Sequence, residues 1–242
     1  MDALILAGGL GTRLASVVAD RAKPVATIAG RPFVAYLLDH IARCDEIRRV
    51  VLCVGHKAET VEAALGTHHG RLELAYSREP RPLGTGGALR RALLRGVSRA
   101  PVLAFNGDTL FTLEVERLIA FHRENHANAT MALARVPDAS RFGTVRVRND
   151  RVEAFEEKGR SGPGWINAGA YVLGKSAIDS LTGGPIAFSL EHDLLPKWLG
   201  GRRLAGLRSR ARFIDIGIPE DYARAEQIFG GRDFPQDPAG AT

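Results

Sequence analysis

The chain is short of sulfur, of lysine and of aromatic rings. Two cysteines, Cys44 and Cys53, in 242 residues give no material for a disulfide framework. Without CxxC spacing or neighbouring histidines they offer no zinc site either, and buried reduced thiols are expected. Only five of the 33 basic residues are lysines, at positions 23, 57, 158, 175 and 197, which leaves 28 arginines. These scatter along the chain instead of gathering in one helix or arm, and aromatics at 7% supply no interleaved stacking platform. The net charge of +6 therefore reads as a habit of using arginine, not as a nucleic-acid surface. A basic field still suits small polyanionic substrates. Long hydrophobic runs are also missing: the longest, such as 50–54, fall far short of a membrane span. The first apolar run ends at Gly8 without the basic start of a signal peptide. A cytoplasmic protein with no membrane partner is expected.

What is present begins at the N-terminus. Leu4-Ile5-Leu6-Ala7 breaks into Gly8-Gly9-Leu10-Gly11-Thr12-Arg13, and Lys23-Pro24 follows. Glycine removes the Cβ that would hold the backbone away from an anion, so successive N–H groups can line one concavity. Arg13 adds a forked donor and Lys23 a point charge. The spacing fits neither a Walker loop, which needs Gly-Lys-Ser/Thr, nor the dinucleotide fingerprint, which needs a small residue where Leu14 stands. A purely structural turn is the alternative.

Continuous apolar segments at 3–7, 49–54, 72–76 and 102–105 alternate with amphipathic helical patterns at 33–43, 58–65, 87–95 and 115–125. That texture predicts an α/β fold with a mainly parallel sheet covered on both faces, ligands binding beyond the carboxyl ends of the strands. After residue 130 the pattern turns β-rich, at 131–136, 144–147, 152–155 and 167–173, with helices expected at 190–198 and 220–228. One domain over 1–230 is expected, with a nucleotide-binding half at 1–128, a second half at 129–230, and a mobile tail at 231–242 rich in Gly, Pro and Asp.

Four further segments carry chemistry. Gly84-Thr85-Gly86-Gly87 opens a helix, where glycines would let the backbone approach a flat heterocycle and the helix N-terminus would add positive charge. A tight turn with a Thr cap is the alternative. Asn106-Gly107-Asp108 follows an apolar strand, where a carboxylate is costly unless paired or bound to a metal. Asp108 as a turn cap is the plainer reading. Glu157-Lys158 alone would be a solvated surface pair. In Phe213-Ile214-Asp215-Ile216-Gly217 a lone carboxylate interrupts an apolar run, making Asp215 a second metal-ligand candidate.

Together with Asn167-Ala168-Gly169, these segments occur in the order found in sugar-1-phosphate nucleotidylyltransferases, which the chain resembles from residue 1 to about 229. The wording LILAGGLGTRL, PLGTGGAL, NGDT, FSLEHDLL and FIDIGIPEDY is most similar to the branch that joins GTP to a heptose 1-phosphate. The resemblance implies a Rossmann-like nucleotidyltransferase fold. Gly8, Gly9, Gly11, Thr12 and Arg13 would hold the triphosphate, with Lys23 at the phosphoryl oxygens. Gly84, Thr85, Gly86 and Gly107 would help hold the nucleotide, and Glu79 would accept the guanine N–H donors unless it is merely a surface residue. Asp108 and Asp215 would bind Mg²⁺. Gly143, Glu157, Lys158, Asn167 and Gly169 would contact the sugar phosphate. Arg13, Lys23, Asp108 and Lys158 would carry catalysis.

The implied partners are GTP and a sugar 1-phosphate, and a homodimer is among the expectations because small members are often dimeric. A phosphate monoester has its second pKa near 6, so the nucleophile is already mostly dianionic and needs no general base; none of the seven histidines lies in the Gly8–Lys23, Gly84–Gly87, Asn106–Asp108, Glu157-Lys158, Asn167–Gly169 or Asp215–Gly217 segments. Ala22 stands where relatives often have a second proline, which predicts a looser loop. The length predicts no added regulatory or acyltransferase domain. Rival readings are another base or sugar (mannose 1-phosphate, or UTP with an amino-sugar phosphate) and, from another class, a non-catalytic nucleotide sensor. A dehydrogenase is disfavoured because residues 50–54 run into Gly55-His56-Lys57 with no acidic residue for a ribose.

Overall fold

The computed structural model of the protein describes residues 1–9, 11, 13–14, 17–18, 20–97, 100–159, 161–199 and 204–230. Strand β1 (Asp2–Leu6) leads through a 3-10 turn (Lys23–Val25) to the small pair β2 (Thr27–Ile28) and β3 (Arg31–Pro32), then α1 (Phe33–Ile41), β4 (Arg49–Val54) and α2 (Ala58–Leu65). Next come β5 (His68–His69), β6 (Leu72–Arg78), α3 (Gly84–Leu93), β7 (Val102–Asn106), β8 (Thr109–Phe111) and α4 (Val115–Asn125). The second half holds β9 (Ala129–Val136), β10 (Val145–Arg148), β11 (Arg151–Phe155), β12 (Gly164–Leu173) and α5 (Lys175–Thr182). A π-helical turn (Leu190–Leu194), a 3-10 turn (Leu195–Trp198), β13 (Leu204–Ser209), β14 (Phe213–Asp215) and α6 (Pro219–Gly230) complete it.

Ten strands form one sheet in the order β10-β11-β13-β9-β12-β7-β1-β4-β6-β5. β1 lies between β7 and β4 and is parallel to both, and β6 continues parallel to β4. β12 runs antiparallel between β7 and β9 and so joins the two halves of the chain in one sheet; β13 is parallel to β9. This is the α/β, mostly parallel arrangement that the continuous apolar strands predict.

Those strands alternate between two cores. Ala3, Ile5, Val50, Leu52, Leu103 and Phe105 face one side, with α1, α2, α4 and α6. Leu4, Val51, Cys53, Val102 and Ala104 face the other, with α3, α5 and the 190–198 turns. With both faces covered, each central residue buries apolar surface at about 25 cal/mol per Å², and the glycine turn after β1 is left at the uncovered rim. Both cysteines are free and buried, as expected, and burial pushes the Cys44 thiol up to about 11.

Two expected elements differ. The helix expected from Gly87 starts at Gly84. The helix expected over 190–198 is a π-helical turn followed by a 3-10 turn. Ser189 Oγ accepts the His192 N–H at 3.1 Å while Asp193 Oδ2 accepts the Ser189 N–H at 2.7 Å, which fixes the entry. Pro196 then has no N–H to continue an α-helical ladder. The expected tail at 231–242 lies outside the described residues.

Candidate active site

At the carboxyl end of β1 a cavity of about 370 Å³ is lined by Gly8, Gly9, Gly11, Arg13, Lys23, Glu79, Gly84, Thr85, Asn106, Asp108 and Gly217, among others. Thr12, expected in the phosphate loop, lies outside the described residues. Gly9 faces open space, since a Cβ there would meet nothing within 4 Å, and Gly11 takes φ +61°, which favours glycine. Ala22 is buried, and its N–H donates to Thr60 Oγ1 at 3.1 Å.

Asp108 follows β7, and Lys23 Nζ lies 2.6 Å from its Oδ2 with the lysine side chain only 11% exposed. Asp215 arrives beside this pair because β14 runs antiparallel to β8 with Asp215 opposite Thr109, and the Ile216 N–H donates to Asp108 O at 3.0 Å. Burial first, then the Asp108 carboxylate, push the Asp215 carboxyl above the usual range; Lys23 and the Gly217 N–H, 2.7 Å from Oδ1, pull the other way. Two mutually repelling carboxylates sharing one ammonium form a hard-oxygen donor set that suits Mg²⁺, an ion that takes its remaining ligands from phosphates and water. Among the described residues no group of three or more His, Cys, Asp or Glu could hold a metal alone.

Glu79 is half-buried at the cavity wall. Its Oε2 accepts the Leu83 N–H at 3.0 Å, and a Cβ on Gly8 would lie 2.6 Å from its Oε1. Burial pushes its carboxyl above the usual range. The Gly84–Gly87 stretch has a different logic from the one its composition suggests. The Gly86 and Gly87 N–H groups both donate to Phe188 O, at 3.0 and 3.2 Å, so two of the helix's orphan donors are already used. A Cβ on Gly86 would lie 2.2 Å from the Phe188 ring, and one on Gly87 2.5 Å from Ile186 O. Gly84 and Thr85 line the cavity, whereas Gly86 is buried under Phe188. Gly107 is likewise buried, its N–H donating to Leu6 O at 2.9 Å.

The residues expected around the sugar phosphate form two groups. β12 carries an irregularity between Asn167 and Tyr171, where Gly169 takes φ +70° and packs on the Asn106 side chain. A bulge re-aims side chains, and this one sets Gly169 against Asn106, which lines the cavity, while Asn167 and Gly169 themselves stand behind that wall. The second group sits at the open end of the β10–β11 hairpin. Gly143, at φ +77°, has Glu156 O where a Cβ would stand, and Glu157 and Lys158 follow as exposed side chains. Arg141, two residues before Gly143, connects this end to the carboxylates: it lies 3.7 Å from Asp215 Oδ1 and pairs with Asp221.

A protein family described as nucleotidyl transferase matches residues 2–229. The chain belongs to that family. It is 40% identical over 229 residues to the D-glycero-alpha-D-manno-heptose 1-phosphate guanylyltransferase of Aneurinibacillus thermoaerophilus, spanning 94% of this chain and 97% of that protein. It is 36% identical to the mannose-1-phosphate guanylyltransferase of Mycobacterium tuberculosis over 93% of this chain but 63% of that one. The crystal structure of HddC from Yersinia pseudotuberculosis complexed with GMP-PN superposes with a TM-score of 0.82 at 34% identity, covering 94% of this chain and 99% of that one.

Sequence reasoning missed Asn106, Arg141, Tyr171 and Glu191. Asn106 Oδ1 is buried with no hydrogen-bond partner among the described residues, at the wall shared by the cavity and Gly169. Such an acceptor is costly unless a ligand donor fills it. Asn106 stands in the same Asn106-Gly107-Asp108 segment, where the aspartate is the stronger chemical signal.

Proposed function

We propose that this chain transfers GMP from GTP to D-glycero-α-D-manno-heptose 1-phosphate, giving GDP-heptose, an activated sugar for glycan assembly, and pyrophosphate. The observation that carries the reading is the meeting of Lys23, Asp108 and Asp215 beside a glycine-lined cavity. The heptose and guanine assignments draw on the relative that matches this chain nearly end to end. A phosphate oxygen of the sugar phosphate attacks the nucleotide α-phosphorus. The α–β P–O bond breaks and its electron pair leaves with pyrophosphate.

Bringing two polyanions together is the main barrier. At ~4 Å and an effective dielectric near 20, each opposite charge contributes roughly 4 kcal/mol before desolvation. Arg13 and Lys23 meet the triphosphate, and Lys158 on the exposed hairpin end meets the sugar phosphate. Asp108 and Asp215 are the residues that would hold Mg²⁺, which neutralises phosphate charge when bound. The Glu79 carboxylate, with its Oε2 shared with the Leu83 amide, is the acceptor proposed for guanine N–H groups. No side chain is needed as a base, because the nucleophile is already largely dianionic.

A panel of the four nucleoside triphosphates against heptose, mannose and amino-sugar 1-phosphates, read as pyrophosphate release with Mg²⁺ and with EDTA, tests the reading. GTP with heptose 1-phosphate and Mg²⁺ should be fastest. Faster turnover with mannose 1-phosphate would reassign the sugar, and no turnover with any pair would favour the nucleotide-sensing alternative. Glu79→Gln should narrow the preference for GTP over ATP by about tenfold, the scale of one charge-assisted hydrogen bond.

A further inference from the structure

One carboxylate touches both halves of the site. Glu191 sits in the π-helical turn, a geometry frequent at functional positions. Its Oε2 accepts the Thr85 hydroxyl at 2.5 Å and the Ser189 hydroxyl at 3.2 Å, while Thr85 Oγ1 also accepts the Leu190 N–H at 2.8 Å. Thr85 is thereby locked between the first turn of α3 and the 189–191 segment, and it lines the nucleotide cavity. On the other side, Tyr171 Oη points to Glu191 Oε1 at 3.5 Å and accepts the Asn167 amide at 2.6 Å. Asn167 Oδ1 then accepts the Gly169 N–H at 3.0 Å, and Gly169 rests on Asn106. Tyr171 is fully buried, and burial with the neighbouring Glu191 holds its phenol well above the usual range, so it stays a neutral donor.

We propose that Glu191 is the positioning residue that keeps the nucleotide and sugar-phosphate subsites in register, acting on one through Thr85 and on the other through Tyr171 and Asn167. It touches neither substrate. The inference rests on the transfer reaction proposed above. A hydrogen-bonded chain of this kind fixes the rotamers of its members, and losing its central acceptor frees both arms at once.

Steady-state kinetics on the full chain test it. Glu191→Ala should raise KM for both GTP and heptose 1-phosphate by about tenfold, with kcat changing less, since a hydrogen bond to a charged group is worth about 1.5 kcal/mol or more. Tyr171→Phe should raise only the sugar-phosphate KM, and adding it to Glu191→Ala should have no further effect. Glu191→Gln, which keeps an acceptor for Thr85 and a polar partner for Tyr171, should return both constants to within about twofold of wild type. Either KM unmoved in Glu191→Ala, or a Tyr171→Phe effect that adds in full, overturns the proposal. If Glu191→Ala fails to fold, Glu191→Asp decides: its shorter reach must raise the sugar-phosphate KM. An inactive wild type would defeat the transfer reading, whereas an active wild type with unmoved constants in the variants defeats only this inference.

Discussion

Two glycine-rich turns sit on the same rim and use glycine for opposite ends. In the first turn Gly9 leaves room outside the protein, with open space where its Cβ would be, whereas Gly8 packs closely on Glu79 and the Gly55 backbone. At Gly84, Gly86 and Gly87 the Cβ positions are filled from within, by Phe188 and the backbone of Ile186, and the Gly86 and Gly87 amides donate to Phe188 O. Gly9 stays open toward the cavity, while the second turn spends two of its donors on the fold. Glycine density alone does not distinguish them; what occupies the Cβ position does. A variant at Gly9 should therefore change activity and spare stability, and variants at Gly86 or Gly87 the reverse.

The largest effect belongs to the charged partner of the first turn. Asp108→Asn should lower turnover by about a thousandfold or more, in the range of losing a metal ligand or a major electrostatic contact, with far-UV circular dichroism and melting temperature close to wild type. Substantial activity in this variant would remove the metal assignment. Next is Gly86→Ala. Its Cβ would stand 2.2 Å from the Phe188 ring, so overpacking should cost about 1–3 kcal/mol in urea unfolding. In a Phe188→Ala background the same change should cost almost nothing, because the obstructing ring is gone. Equal costs in both backgrounds would mean that Phe188 is not what the glycine accommodates. Smaller again is Gly9→Ala, which should raise the GTP KM about tenfold while stability stays within about 0.5 kcal/mol, as for a surface substitution. A loss of stability without a change in KM would place Gly9 with the packing glycines.

The same contrast explains what the sequence could and could not disclose. Lys23 and Asp108 were readable because a rare lysine and a carboxylate ending an apolar strand are each anomalous where they stand. Asp215 was readable for the same reason, but its neighbour was not: adjacency to Asp108 depends on β14 pairing with β8, a contact across about half the chain. The parallel sheet was legible from continuous apolar strands, whereas the π-helical turn at Leu190–Leu194 was not, since it depends on Ser189 capping the His192 N–H while Asp193 accepts the Ser189 N–H. Arg141 is one arginine among 28, with no local signal to mark it. Glu191 acquires meaning only from Thr85 and Tyr171, 106 and 20 residues away. Gly86 shows the limit most plainly, because its neighbour Phe188 is also distant in sequence.

The smallest effect tests whether the open region is held at a cost to the fold. Burial and Asp108 together outweigh Lys23 and Gly217 at Asp215, so its carboxyl is raised above that of an ordinary aspartate. Ionising such a group penalises the folded state more than the unfolded one. Stability is thus greatest below the unfolded value of about 3.9 and is lost as pH rises through the higher folded value. Asp215→Asn removes that penalty and can keep the acceptor for the Gly217 N–H. In EDTA at pH 7 the variant should melt ~2–4 °C above wild type, which corresponds to about 1 kcal/mol in a chain of this size. The gap should narrow as the buffer is acidified, because protonation relieves the buried charge of wild-type Asp215. In Mg²⁺ with GTP the order should reverse, since only the aspartate gains from binding a cation. A variant that is less stable than wild type in EDTA at both pH values would show that Arg141 and Lys23 already compensate the buried charge, and that the carboxylate pair is part of the fold's own ion-pair network rather than a site kept ready for a metal.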